Sequence, residues 1–217
     1  MRKRKSHPTR STLKKSAFRP PTSVFINCPF DKDYLTLFDA VIFAVTCCGF
    51  LPRSALESGD VAELRIQRIL KAMFSSEYSI HELSRCHGEG EQNLARFNMP
   101  LELGMAMARA FETSPPRVKK HDWLALVPEG HVYQKVISDL SGYDPKDHDG
   151  SVQDVVRKVM SWLITRPGAV CPFTPGDVLA KLPAFQEKVR NLREEWGDDL
   201  PWAFLVSAAK EIAEQLA

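Results

Sequence analysis

Residues 23–49 read SVFINCPFDKDYLTLFDAVIFAVTCCG, and this stretch holds one complete strand-to-helix unit. Ser23-Val24-Phe25-Ile26-Asn27 is a short run rich in β-formers and stopped by Pro29, as a buried first strand is. Asp31 and Asp33 then serve as helix-start residues. From Tyr34 to Cys48 the apolar positions Leu35, Phe38, Val41, Ile42 and Val45 recur at helical spacing. Gly49 stands where the helix ends, at the position where a left-handed residue is least strained.

The same alternation continues outward. A weaker strand carrying Pro52 spans 50–56, a helix 62–74, and an alternating strand 78–84. A long polar loop, 85–97, leads to Pro100 and a nearly all-apolar helix ending near Phe111. Residues 123–127 read as a fourth strand and 131–140 and 152–165 as helices, with a short polar fifth strand between 141 and 149 as the weakest reading. Strands alternating with helices imply a parallel sheet covered on both faces. Right-handed crossovers then place loops 27–33, 53–60 and 84–102 at the carboxyl ends of the strands, where open α/β sheets bind ligands. Pro167, Pro172, Pro175 and Gly176 separate this body, 23–166, from two amphipathic helices at 177–196 and 201–216. That helical extension, 174–217, is expected to pack on the sheet domain or on a partner.

The chain has 217 residues, 44% hydrophobic and 26% charged, which is enough to build a sizeable core. Its net charge of +2 is unevenly placed. Residues 1–19 hold eight basic side chains and no acid, leaving 21 basic against 27 acidic residues in the remainder. The first 22 residues therefore read as a disordered basic arm. The mildly acidic body argues against a nucleic-acid-binding domain of the basic-stripe kind, so nucleic acid is expected at most weakly through that arm. No run approaches the roughly 20 apolar residues of a membrane span. Five cysteines show no CxxC spacing and form no even set. Adjacent Cys47 and Cys48 suit core packing better than bridging, and reduced thiols in the cytoplasm are the simple reading.

The segment with most chemical content is Phe97-Asn98-Met99-Pro100-Leu101-Glu102-Leu103-Gly104-Met105-Ala106. Pro100 is comfortable as the first helical residue. Glu102 is then expected in the first turn, ionised under the helix dipole, with Gly104 permitting close backbone or ligand approach. A capping role for this glutamate competes with a catalytic one. Around the second loop, Arg53 is a candidate for a phosphate, and an ion-pair cluster with Glu57, Asp60 and Glu63 is the plainer alternative. No GxGxxG or GxxxxGK[ST] motif is present, and His81, Cys86 and His87 match no zinc spacing. No metal is expected. Cys28 lacks a local base and reads as a buried loop thiol.

Three motifs, in order, resemble a known group. Val24-Phe25-Ile26-Asn27-Cys28-Pro29-Phe30 is similar to the first strand and Pro-Phe loop of nucleoside deoxyribosyltransferases. Residues 75–84, SSEYSIHELS, resemble the third strand shared by those enzymes and bacterial TIR-like domains. Residues 98–106 resemble the helix that follows it, whose Glu-Leu-Gly carries the catalytic glutamate. The resemblance covers 23–165 and implies a three-layer flavodoxin-like (TIR-like) fold acting at an N-glycosidic bond, in NAD or a nucleoside. Carried over by position, Glu102 is the catalytic carboxylate, and Asn27, Pro29 and Phe30 line the base or ribose pocket. Asp31, Arg53, Ser84 and Asn98 complete the expected binding set, with His81 or Asp31 as an acid for a departing base. NAD or another nucleotide is expected as substrate or ligand rather than cofactor. A bacterial signalling or defence role follows from the resemblance alone, and self-association is left open. The competing reading is a nucleotide-sensing or protein-interaction module without turnover.

Overall fold

The computed structural model describes residues 22–60, 62–86, 97–112, 121–130 and 133–216. The basic arm, apart from Thr22, and most of the third loop lie outside them. In chain order the elements are β1 (Ser23–Asn27), α1 (Leu35–Cys47), β2 (Leu51–Arg53), α2 (Arg65–Phe74), β3 (Tyr78–Glu82) and α3 (Asn98–Phe111). Then follow β4 (Asp122–Pro128), α4 (Tyr133–Val136), β5 (Lys146–His148), α5 (Val152–Leu163), α6 (Pro175–Trp196) and α7 (Trp202–Glu214).

The five strands form one parallel sheet in the order β2-β1-β3-β4-β5. The fold is flavodoxin-like, with helices on both faces, as the alternation implied. Every residue of β1 and β3 is buried, as a sheet covered twice requires. β2 is shorter than expected because Ser54 turns the chain, its hydroxyl accepting from Leu56 N at 3.3 Å. Pro52 is tolerated there because β2 is an edge strand. β3 stops at Glu82, whose carboxylate takes the N–H and the hydroxyl of Ser84 at 2.9 and 2.6 Å. The helix expected at 131–140 is instead the single turn α4 followed by a 3₁₀ segment, Ser138–Gly142.

α1 owes its uniformly apolar sequence to being covered on two sides. One side meets the sheet and α5, and the other meets α6 and α7. Phe43 stacks on Phe185 with ring centroids 5.1 Å apart. Trp202 donates its indole N–H to Pro52 O at 3.2 Å. Arg193 grips buried Asp39 through two hydrogen bonds of 2.8 and 2.6 Å. Burial raises the Asp39 pKa, and the Arg193 guanidinium works against that rise. The extension is thus an added layer on α1. Thr174 and Asp177 start α6 as a capping box around Pro175, two residues before the start read from the sequence. Among the described residues no helix is long and apolar enough to cross a membrane.

Candidate functional site

The chain leaves β1 toward β2 on one side and reaches β3 on the other, so the connections diverge at the carboxyl ends of β1 and β3. Such a switch point opens a crevice. A cavity of about 330 Å³ lies there, lined by Cys28, Pro29, Phe30, Asp31, Arg65, Arg85, Asn98 and Met99. Four residues of the expected binding set therefore meet in one place: Pro29, Phe30, Asp31 and Asn98. Ser84 lines an adjoining cavity of about 420 Å³ with Arg85 and His148. On the other flank, Phe30 and Arg65 continue into a groove of about 630 Å³ walled by Asp198, Asp199 and Trp202. The helical extension thus contributes to the same edge, which its sequence gave no reason to expect.

Arg53 is not brought to the cavity. It is held by Glu57, four residues on, and by Ser75 Oγ at 3.3 Å, the plainer of the two roles considered for it. The cationic positions belong to Arg65, at the start of α2, and Arg85, just past β3. Arg85 Nη2 donates to Asp31 Oδ1 at 3.0 Å, and Asp31 Oδ1 also accepts from Tyr34 N at 3.2 Å. Asp31 is a positioning partner in this arrangement, anchoring the loop after β1 to Arg85.

Glu102 departs from expectation in two respects. α3 begins at Asn98, so Pro100 is its third residue and Glu102 falls in the second turn, beyond the free N–H groups. Its side chain is also buried, at 5% exposure, and is not among the residues lining the cavity. Among the described residues it has no hydrogen-bond or ion-pair partner. Burial pushes its pKa up from 4.5 to about 7, with Arg65 pulling the other way. Desolvation, not the dipole, decides its charge. Gly104 faces open space, and α3 is buried on one face only, with Leu101 and Phe111 exposed.

The level of Glu102 follows from packing. Ala106 of α3 shares a small core cluster with Phe25 of β1 and Met73 of α2. Glu102 lies one helical turn before Ala106, ~6 Å toward the carboxyl end of the sheet. Asn27 lies two residues beyond Phe25 on the same face, ~6.6 Å in the same direction. Glu102 therefore lies on the carboxyl-end side of this cluster, as Asn27 and its register partner His81 do, just below Met99 and Asn98 at the lip.

Asn27 is held by a buried chain of hydrogen bonds whose direction is set from its His121 end when both rings are neutral. His121 Nδ1 contacts the carbonyl of Ser76 at 3.0 Å and must donate. His121 Nε2 then accepts from Ser79 Oγ at 2.8 Å, and Ser79 Oγ accepts from His81 Nε2 at 2.9 Å. His81 Nδ1 is left to accept from Asn27 Nδ2 at 3.0 Å. Both rings are neutral in this chain. Burial, then His121, holds the His81 pKa down at about 3, and burial lowers His121 as well. The amide of Asn27 is thereby fixed, and its oxygen is free of His81. His81 uses both nitrogens, so it is not the acid once considered for a departing base.

Glu82 faces the opposite side of the sheet. His148 Nδ1 accepts from Gly150 N at 3.2 Å, so its proton is on Nε2, which donates to Glu82 Oε1 at 3.1 Å. Cys28 is fully buried, and burial raises its thiol pKa well above the ordinary value, which disqualifies it as a nucleophile. The assembled features are two guanidinium groups beside a concave pocket, a fixed amide, and below them a carboxyl poised near neutrality. Such a set can hold an anionic group and either donate a proton or meet a developing positive charge. No protein-family model, curated protein or solved structure matches the chain.

Proposed function

We propose that this protein binds a nucleotide or nucleoside at the β1/β3 cavity and cleaves its N-glycosidic bond, with Glu102 as the catalytic carboxylate. The observation that carries this reading is Glu102 itself. A buried carboxyl with no partner among the described residues, just below the lip of the cavity and with its pKa pushed up to about 7, is destabilising for a fold and useful for chemistry. The likeness of the three motifs to deoxyribosyltransferases and bacterial TIR-like proteins supplies the reaction class.

In this reading Arg65 and Arg85 hold phosphate, Phe30 and Pro29 flank the base or ribose, and Asn98 closes the lip. Asn27 offers its amide oxygen to a ribose hydroxyl. The bond between the anomeric carbon and the base nitrogen breaks, and its electron pair departs with the base. Positive charge grows on the ribose, and the ionised Glu102 stabilises it until water adds at the anomeric carbon and gives up its proton to the solvent. Nicotinamide departs neutral from a cationic ring and needs no proton. The ionised form is the active one for that substrate, so turnover rises with pH through about 7. A purine needs a proton on departure, which protonated Glu102 can supply only below that pH. The cytoplasm, a role in bacterial signalling or defence, and self-association belong to this reading as its setting.

One observation favours a second reading, a nucleotide sensor without turnover: Glu102 does not itself line the cavity. Purified protein incubated with NAD and with nucleosides, beside Glu102→Gln, separates the two. The enzyme reading expects release of the base, reduced at least about 100-fold in the variant. Tight binding with no turnover in either protein supports the sensor. Neither binding nor turnover removes both.

A further inference from the structure

We propose that Cys48 and Cys171 form a reversible disulfide that staples the segment leading into the helical extension to the end of α1. This pairing is not legible along the chain, because the two residues are 123 positions apart and Cys48 reads as core. In the fold, their sulfur atoms lie 3.5 Å apart. Closing that gap to a bond of about 2.05 Å takes an approach of about 1.5 Å. Cys48 caps α1, and Cys171 belongs to the segment that joins α5 to α6.

That segment is pinned just ahead of the thiol. Tyr78 donates its hydroxyl to Pro167 O at 2.9 Å, and Val170 N donates to Cys48 O at 3.0 Å. Gly49 has φ +81°, and a Cβ there would lie 3.0 Å from both the Cβ and the carbonyl oxygen of Val170. Glycine is what permits the segment to run this close to the end of α1.

The two thiols differ in a way that divides the chemistry. Cys171 is partly exposed and Cys48 is fully buried. The oxidant is a small-molecule disulfide of the glutathione class. The Cys171 thiolate attacks one of its sulfurs, forming a mixed disulfide and releasing one small thiol, which takes up the proton that Cys171 gave up. Cys48 then loses its proton and attacks the Cys171 sulfur, expelling the second small thiol. The pair loses two electrons and two protons, and the oxidant gains both. Burial pushes the Cys48 thiol well up, so its attack on the mixed disulfide, and with it closure, is slow.

The test treats the full chain with oxidised glutathione and reads intact mass and a non-reducing peptide map. The proposal expects a loss of two hydrogens, a cross-link joining the Cys48 and Cys171 peptides, and a higher urea midpoint, all reversed by dithiothreitol. Cys48→Ser is expected to stop at a glutathione adduct on Cys171, and Cys47→Ser to close as the native chain does. A persistent adduct on Cys171 in the native chain overturns the proposal. So does a bridge to Cys47, or no reaction under conditions that oxidise the urea-unfolded chain. Because the map is read on the native chain, a variant that fails to fold leaves the test intact.

Discussion

Glu102→Gln is expected to make the protein more stable, by an amount that depends on pH. Glutamine has nearly the same shape, so the change removes the charge and little else. Raising a carboxyl from 4.5 to about 7 corresponds to about 3 kcal/mol, at 1.36 kcal/mol per pKa unit. The folded pKa lies above the unfolded one, so the native state holds the proton more tightly. The stability this confers is full below the unfolded value and is lost as pH rises through the folded value. Glutamine suffers no such loss. Urea unfolding of both proteins is expected to show a gap of about 1 kcal/mol at pH 5 and about 3 kcal/mol at pH 8. The size of the gap measures what the fold gives up to keep an unpartnered carboxyl beside the cavity, as functional sites do. A gap that is constant with pH, or a variant less stable than the native chain at pH 8, refutes the reasoning. Either outcome means that Glu102 is solvated or paired in solution.

Three further outcomes follow from the same geometry. Arg65→Met removes the cation that lowers the Glu102 pKa, so the midpoint of any Glu102-dependent pH profile moves upward. It is also expected to weaken phosphate-bearing ligands more than nucleosides, as titration calorimetry can measure. Arg193→Met leaves Asp39 buried without its two hydrogen bonds and is expected to cost about 3–5 kcal/mol in urea unfolding, with Asp39→Asn recovering part of the loss. Ser79→Ala removes the hydroxyl between two neutral imidazoles and leaves a buried donor on His81 and a buried acceptor on His121. A loss of about 2–4 kcal/mol is expected by the same assay, with slowed amide exchange in β3 lost first.

Elements set by local runs were legible in the sequence. β1 matches its residues 23–27, α1 is one residue shorter than read at each end, and α5 starts where read and ends two residues earlier. Parallel pairing followed from alternation of strands and helices, which is a global property of the pattern. The strand order was not legible, because nothing local says that β3 pairs with β1 across from β2. The same limit explains the site. Pro29, Phe30, Asp31 and Asn98 could be named because they sit in loops that must rise from strand ends. Arg53 was named as the phosphate candidate and Arg65 was not, because the outcome rests on where β2 stops and on Glu57 lying four residues after Arg53. Arg85 follows β3 directly, and the first cation after a central strand was the signal available for it. The charge state of Glu102 was misread because a helix start is visible in sequence, whereas desolvation by tertiary packing is not. The two tail helices could be seen as amphipathic, but their wall of Asp198, Asp199 and Trp202 beside the cavity arises only from docking on α1.

The central claim is that the nucleotide lies across the carboxyl ends of β1 and β3 with its ribose over residue 102. A crystal structure of the Glu102→Gln variant soaked with NAD tests it most directly. The account predicts an intact nucleotide with phosphates between Arg65 and Arg85 and a ribose hydroxyl on the Asn27 amide oxygen. A nucleotide bound elsewhere, for example in the aromatic cavity beside Trp123 and Tyr143, or an empty cleft at saturating ligand, contradicts it.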